Sequence, residues 1–217
     1  MTQSLLFLVL GATGGTGKHF VTQCLRDGHR VRALVRTPSK LPSEAADKIE
    51  VVQGSITDNV DTDALVKGVD YVVAMLGDKE TQQTRKVCLE FVQKLVPSMR
   101  ENGVKRFLFQ AGGLSRPYGG SLTPLLWFLR YTLAYAGGFH GQHLDNEAVM
   151  EYLSTQAMDI EWIVHRAGIG SDGPSKGKLA RSPSTFSIGT HVDCATYSFD
   201  LVQDASAVHT SDFSHYV

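Results

Sequence analysis

Cysteine is scarce in this chain, and the three that occur, Cys24, Cys88 and Cys194, are odd in number and far apart. That excludes a disulfide framework and fits a reducing, cytoplasmic compartment. None has the spacing of a metal site, and the eight histidines form no ligand pair on one helix, so no metal is expected. An excess of either charge is missing too: 21 Lys and Arg stand against 22 Asp and Glu, a formal net charge of −1. Neither a nucleic-acid footprint nor a polybasic membrane patch follows from that balance. Long apolar runs are also absent. A bilayer crossing needs about 20 apolar residues, and the nearest approach, Leu122–Ala136, is shorter and contains Pro124 and Arg130. No membrane span is expected; the segment reads as a lid or core helix, with a membrane surface or a partner as the other options. The apolar N-terminal run Leu5–Leu10 lacks a basic flank and runs straight into glycines, so it reads as a buried parallel strand rather than a signal peptide.

What is present is glycine at one informative place. Gly11-Ala12-Thr13-Gly14-Gly15-Thr16-Gly17 follows that strand and opens an amphipathic stretch, Lys18–Asp27, stopped by Gly28. Strand, glycine turn and helix is the arrangement that binds a dinucleotide diphosphate: the glycines let the backbone approach, and the free amides at the helix start face the anion. Further strand patterns fall at Arg30–Val35, Ile49–Gln53, Tyr71–Leu76, Arg106–Phe109 and Glu161–Val164. Helical patterns fall at Asp61–Lys67 (capped by Asp58 or Asp61), Thr81–Glu101, Gly141–Thr155 and Val192–Val202, and Pro38 and Pro42 punctuate a loop. The alternation predicts an α/β single domain: a Rossmann-type doubly wound parallel sheet with helices on both faces. Residues 112–141 read as a substrate-side lid or insertion, and the last residues are expected to be poorly ordered.

The glycine spacing, at 11, 14 and 17 with Thr13 and Thr16 between, resembles the atypical branch of the short-chain dehydrogenase/reductase superfamily. The likeness is to its NmrA-like and flavin reductase/biliverdin-IXβ reductase-like members, and runs from Leu5 to about Asp204. In such sheets ligands sit beyond the carboxyl ends of the strands. On that rule Gly11, Thr13, Gly14, Gly15, Thr16 and Gly17 hold the diphosphate. Arg36, after the second strand, suits a ribose 2′-phosphate where an NAD-specific protein has an acidic residue, so NADP (NADPH) is the expected cofactor. Arg32 and Lys40 are set aside. Gly54-Ser55-Ile56-Thr57-Asp58 is similar to the family's Gly-Asp-x-x-Asp segment, which implies Ser55 and Ile56 beside the adenine. Leu76 and Gly77 follow the fourth strand, and Ala111 and Gly112 the fifth. His165-Arg166-Ala167-Gly168-Ile169 resembles the family's Arg-Pro-Gly segment, which implies Ala167 and Ile169 near the nicotinamide.

The typical catalytic pair of the superfamily, Tyr-x-x-x-Lys, is lacking: no tyrosine here has a lysine four residues on. The resemblance places His143 at the tyrosine position and Glu147 at the lysine position. Four residues apart on one helix face, the two can touch, and an imidazole beside a carboxylate serves as a general acid near neutral pH. The same two residues also read as a solvated surface pair. Ser115, Tyr118, Tyr131, Tyr135 and His140 are further donors nearby in sequence. Trp127, Phe128, Tyr131, Tyr135 and Phe139 supply aromatic surface for a flat substrate, or for a core or dimer contact. The expectation is an NADPH-dependent oxidoreductase that transfers hydride to a flat or hydrophobic carbonyl, quinone or flavin-like small molecule, as a monomer or homodimer. The alternatives are a non-catalytic NADP-binding redox-sensing regulator and a cofactor-dependent epimerase or isomerase.

Overall fold

The computed structural model describes residues 4–41 and 48–217, so the expected turn at Pro42 lies outside the described residues. β1 (Leu6–Leu10) is buried along its whole length. Its alternate side chains serve two cores, Leu6, Leu8 and Leu10 on one face and Phe7 and Val9 on the other. An unbroken apolar run is what a strand covered on both faces requires. α1 (Gly15–Arg26) follows the glycine turn and gives way to Gly28 at φ +81°. β2 (Arg30–Val35), β3 (Ile49–Gln53) and α2 (Thr62–Val66) come next, and the Asp61 carboxylate caps α2 by accepting from Ala64 N. β4 (Tyr71–Ala74), α3 (Val87–Glu101) and β5 (Arg106–Gly112) complete the pattern. α4 (Pro124–Leu129) passes straight into a π-turn at Arg130–Ala134, and α5 (His140–Gln156) leads to β6 (Glu161–Ser171).

β3, β2, β1, β4, β5 and β6 lie side by side in that order and all run parallel. α2, α3 and α5 pack on one face; α1 and α6 (His191–Gln203) pack on the other. The doubly wound single domain is therefore as expected. The strand order reverses between β1 and β4, and that crevice is where such sheets bind ligands.

Three features differ from expectation. β5 and β6 are longer than their apolar cores, because backbone pairing continues through Gly112 opposite Ala167, and β6 then takes β8 (Ile188–Thr190) as its neighbour. Ala167 and Ile169 thus lie within a strand rather than in a loop after it. β7 (Leu179–Ser182) and β9 (Ser211–Tyr216) have no apolar alternation to betray them. The chain end is an ordered strand, not a frayed tail. β9 is held between β6 (parallel) and β7 (antiparallel), so both edges of its backbone are satisfied.

Candidate active site

The glycine turn is closed to side chains. Gly11 has φ +87°, and a Cβ there would stand 2.3 Å from Met75 O; one on Gly17 would stand 2.0 Å from Gly11 O. Gly17 is buried and packs the start of α1 against the turn, so it supports the turn rather than lining the cavity. The N-terminus of α1 has no side-chain cap and no acidic residue in its first turn. Its unpaired amides are left for an anion.

Two cavities meet over this turn. The first, about 840 Å³, is lined by Gly11, Thr13, Gly14, Arg36, Ser55 and Ile56 among others. The second, about 640 Å³, takes in Gly15, Thr16, Ala111, Gly112, Ala167, Ile169 and His143. They share Gly14, Met75, Leu76 and Gly77, which makes them one continuous trough along the strand ends. Apart from Gly17 and Glu147, every expected site residue lines it. Arg36 is exposed at the rim, its Nη1 3.3 Å from Asp78 Oδ2. Asp78 is held below the usual carboxylate range, first by the Thr81 backbone amide and further by Arg36. Ser55 Oγ is shared with Thr57 Oγ1 at 2.9 Å, and Ser55 N donates to Asp58 Oδ2 at 2.8 Å. Lys40, set aside on sequence, lines the first cavity after all; Arg32 is structural, bonded to Glu50 and to the carbonyls of Leu65 and Lys67.

At the other end His143 and Glu147 separate. No hydrogen bond joins them. His143 Nδ1 lies 3.1 Å from Oγ of the fully buried Ser115, to which Asn146 Nδ2 donates at 3.3 Å. In the tautomer where the serine proton goes to Nδ1, the imidazole proton stays on Nε2 and is free to meet a ligand. Burial, reinforced by Arg130 and opposed by Glu147, pulls the His143 pKa down to about 4. The imidazole is neutral at pH 7, which corrects the expectation of an imidazolium acid. Glu147 lies outside the trough because the buried Arg130 claims it: Arg130 Nη1 donates to Oε1, while Arg116 donates from its backbone N (2.8 Å) and from Nη2 (3.0 Å). Burial pushes Glu147 up, but the bonds from Arg130 and Arg116 outweigh it and hold the carboxyl below its ordinary value.

The same charges pin the loop after β5. Arg130 also donates to Leu114 O at 3.1 Å, and the buried Arg166 donates from Nε to Ser115 O at 3.0 Å. Arg166 packs its guanidinium 3.8 Å from the Phe213 ring centroid. Ser115 thus has its backbone fixed by arginines and its hydroxyl aimed at His143.

Among the cavity-lining side chains that sequence reasoning missed, three stand against the glycines of the trough. His191 begins α6 and lies across Gly15, with Nδ1 3.0 Å from Thr16 Oγ1. Gln142 faces Gly77, and Phe186 packs over Gly113 and Gly168. The Thr190 cap before α6 was the one local signal for His191; nothing local marked the other two. Of the five aromatic residues expected to cover a substrate, only Phe139 lines the cavity, together with Leu129 and Leu133. Trp127, Phe128, Tyr131 and Tyr135 face outward, and neither tyrosine reaches the trough as a donor. Their helix turns Leu126 and Arg130 inward instead.

The family described as NAD(P)H-binding matches residues 11–196. The chain is 33% identical over 115 residues to a 3-beta-hydroxysteroid dehydrogenase of Mycolicibacterium neoaurum, covering 48% of this chain and 31% of that protein. It is 32% identical over 132 residues to pinoresinol reductase 1 of Arabidopsis thaliana (57% and 41%) and 30% over 158 residues to an isoflavone reductase homolog of Zea mays (62% and 48%). The chain spans less than half the length of these curated relatives. Among solved structures, a Lactobacillus casei protein superposes with TM-score 0.75 at 24% identity, covering 98% of this chain and 100% of that one. The anaerobillin reductase ChuY of Escherichia coli O157:H7 does so with TM-score 0.75 at 16% identity, covering 96% of each chain. At such identities these two likenesses speak for the fold.

Proposed function

The chain belongs to the NAD(P)H-binding family, and from that premise we propose that it is an NADPH-dependent reductase of a flat, largely apolar acceptor with a carbonyl, quinone or flavin-like reducible group. The observation that carries this reading is the single trough: polar at the end where Arg36 and Lys40 stand with Asp58 and Asp78, apolar at the Phe139 end, with the glycine turn between. A nicotinamide cofactor fits it, because Gly11 and Gly17, where a Cβ would strike backbone, let the chain turn tightly and leave the first amides of α1 open to diphosphate oxygens. When bound, that cofactor supplies the hydride.

The rest is the chain's own work. The first-turn amides of α1 hold the diphosphate, and Thr13 and Thr16 flank it. Arg36 leaves Asp78 to meet a ribose 2′-phosphate, with Lys40 alongside. Ser55 and Ile56 receive the adenine, and Ala167 and Ile169 border the nicotinamide. Residues 112–141 close the acceptor end as a lid. His143, neutral and bonded through Nδ1 to Ser115, presents Nε2–H to the acceptor oxygen and stabilises the negative charge that develops there. Water completes protonation, as quinones and flavins allow. Glu147 acts as the counter-charge that holds Arg130, and through it the Ser115 loop.

Purified protein should oxidise NADPH with at least one acceptor from a quinone, flavin and aldehyde panel. The missing Tyr-x-x-x-Lys pair favours one second reading, an NADP-binding regulator without turnover. Tight NADPH binding with no oxidation across the panel would decide for that reading.

A further inference from the structure

We infer that the outward face of the α4–π-turn segment is a docking surface for a lipid bilayer, and that the acceptor enters the apolar cavity from the bilayer. The second half rests on the reductase reading; the first stands on the exposed face and draws on that reading only in preferring a bilayer to a second copy.

Leu125, Trp127, Phe128, Leu133 and Tyr135 are 66%, 55%, 57%, 71% and 60% exposed. Between Ser121 and Phe139 the only charged residue is Arg130, and its side chain is wholly buried against Glu147. The outward face of this helix therefore carries no charge at all. A helix held against water normally presents polar groups there. Large apolar side chains with Trp and Tyr among them are the composition of a segment lying in a membrane interface. No helix among the described residues is long and apolar enough to cross a membrane, so the segment lies on the surface.

Two further observations select a bilayer over a second copy of the chain. Leu133 and Phe139 are exposed and also line the apolar cavity, so they stand at its mouth. A second copy seated here would seal that mouth, whereas a bilayer would feed it. At the patch edge, Lys79 holds its ammonium 4.9 Å from the Phe139 ring centroid. This lysine is exposed and forms no salt bridge with a carboxylate among the described residues. Long cationic side chains beside an apolar face suit lipid phosphates.

The chain has two tryptophans, Trp127 on the patch and the buried Trp162, so fluorescence reports on docking directly. Vesicles of phosphatidylcholine, with and without phosphatidylserine, should shift Trp127 emission to the blue, and brominated lipid should quench it. Protein should float with the vesicles, more strongly when phosphatidylserine is present. The Leu125→Ser/Phe128→Ser variant should lose about tenfold or more of this partitioning, with unchanged NADPH affinity, melting temperature and turnover of a water-soluble quinone. No shift and no flotation with either vesicle would overturn the docking surface. So would a concentration-dependent dimer that the same variant abolishes. Flotation with turnover of the water-soluble quinone but not of a vesicle-dissolved one would overturn acceptor entry and leave the reductase reading standing; turnover of neither would overturn the reductase reading as well, while upholding docking.

Discussion

At the glycine turn, Gly11 and Gly14 bring the main chain within reach of a ligand, and the open end of α1 supplies amides. At the His143 end the key atom belongs to a side chain, and it is positioned by a relay of buried charge, from Glu147 and Arg130 through the Leu114–Ser115 loop to the imidazole. Backbone recognition tolerates almost any side chain except where a Cβ would collide. Side-chain recognition tolerates almost no change but places no demand on local sequence. On the proposed function, the first serves the cofactor and the second the acceptor.

The contrast can be broken most sharply at the turn itself. Gly17→Ala puts a methyl 2.0 Å from a backbone oxygen, which cannot move aside, so cofactor binding should be lost and stability should fall by about 3 kcal/mol or more. Gly15→Ala meets only the His191 ring and should be far milder. Calorimetry and thermal unfolding of the pair test whether backbone or side chain sets this wall.

At the other end, Glu147→Ala strands the buried Arg130 guanidinium and should cost about 3 kcal/mol of stability, with NADPH affinity retained in the folded fraction. Denaturant unfolding beside cofactor titration measures both; loss of affinity at full stability would contradict the separation of the two ends. His143→Phe should lower kcat about 100-fold, the loss typical of one oxyanion donor, with NADPH affinity unchanged. An unaltered kcat would remove His143 from the chemistry.

Much of this was legible in the chain. The unbroken apolar run Leu6 to Leu10 and the glycine run encode the first crossover locally, and the strand-end rule then selected Arg36, Ser55, Gly77 and Gly112. What stayed hidden depends on partners distant in sequence. Arg116 and Arg130 lie 31 and 17 residues from Glu147, so helix periodicity alone paired Glu147 with the nearer His143. β9 is specified by the open edges of β6 and β7 rather than by its own polar sequence, Ser-Asp-Phe-Ser-His-Tyr. Ser115 looked like one donor among several until the fold brought it beneath His143.

Smaller effects sharpen the comparison further. Arg36→Ala should weaken NADPH about tenfold and leave NADH nearly unaffected; equal loss would mean that Arg36 does not read the phosphate. The pH dependence reads on stability rather than on affinity. His143 titrates near 4 in the folded protein and near its ordinary value, about 6.5, in the unfolded chain. Between those values the unfolded state binds the extra proton, so its contribution to stability is present above about pH 6.5 and is lost as the pH falls toward 4. His143→Phe removes that term, so its melting temperature should fall less than wild type over the same interval. Parallel melting curves would show that the imidazole is not held neutral.

We propose that one trough takes a phosphorylated dinucleotide, with Arg36 at the 2′-phosphate. Isothermal titration of wild-type protein with NADPH and with NADH tests it most directly. A single site that binds NADPH about tenfold or more tightly than NADH is the predicted result. No heat with either, or equal affinity for both, would contradict it.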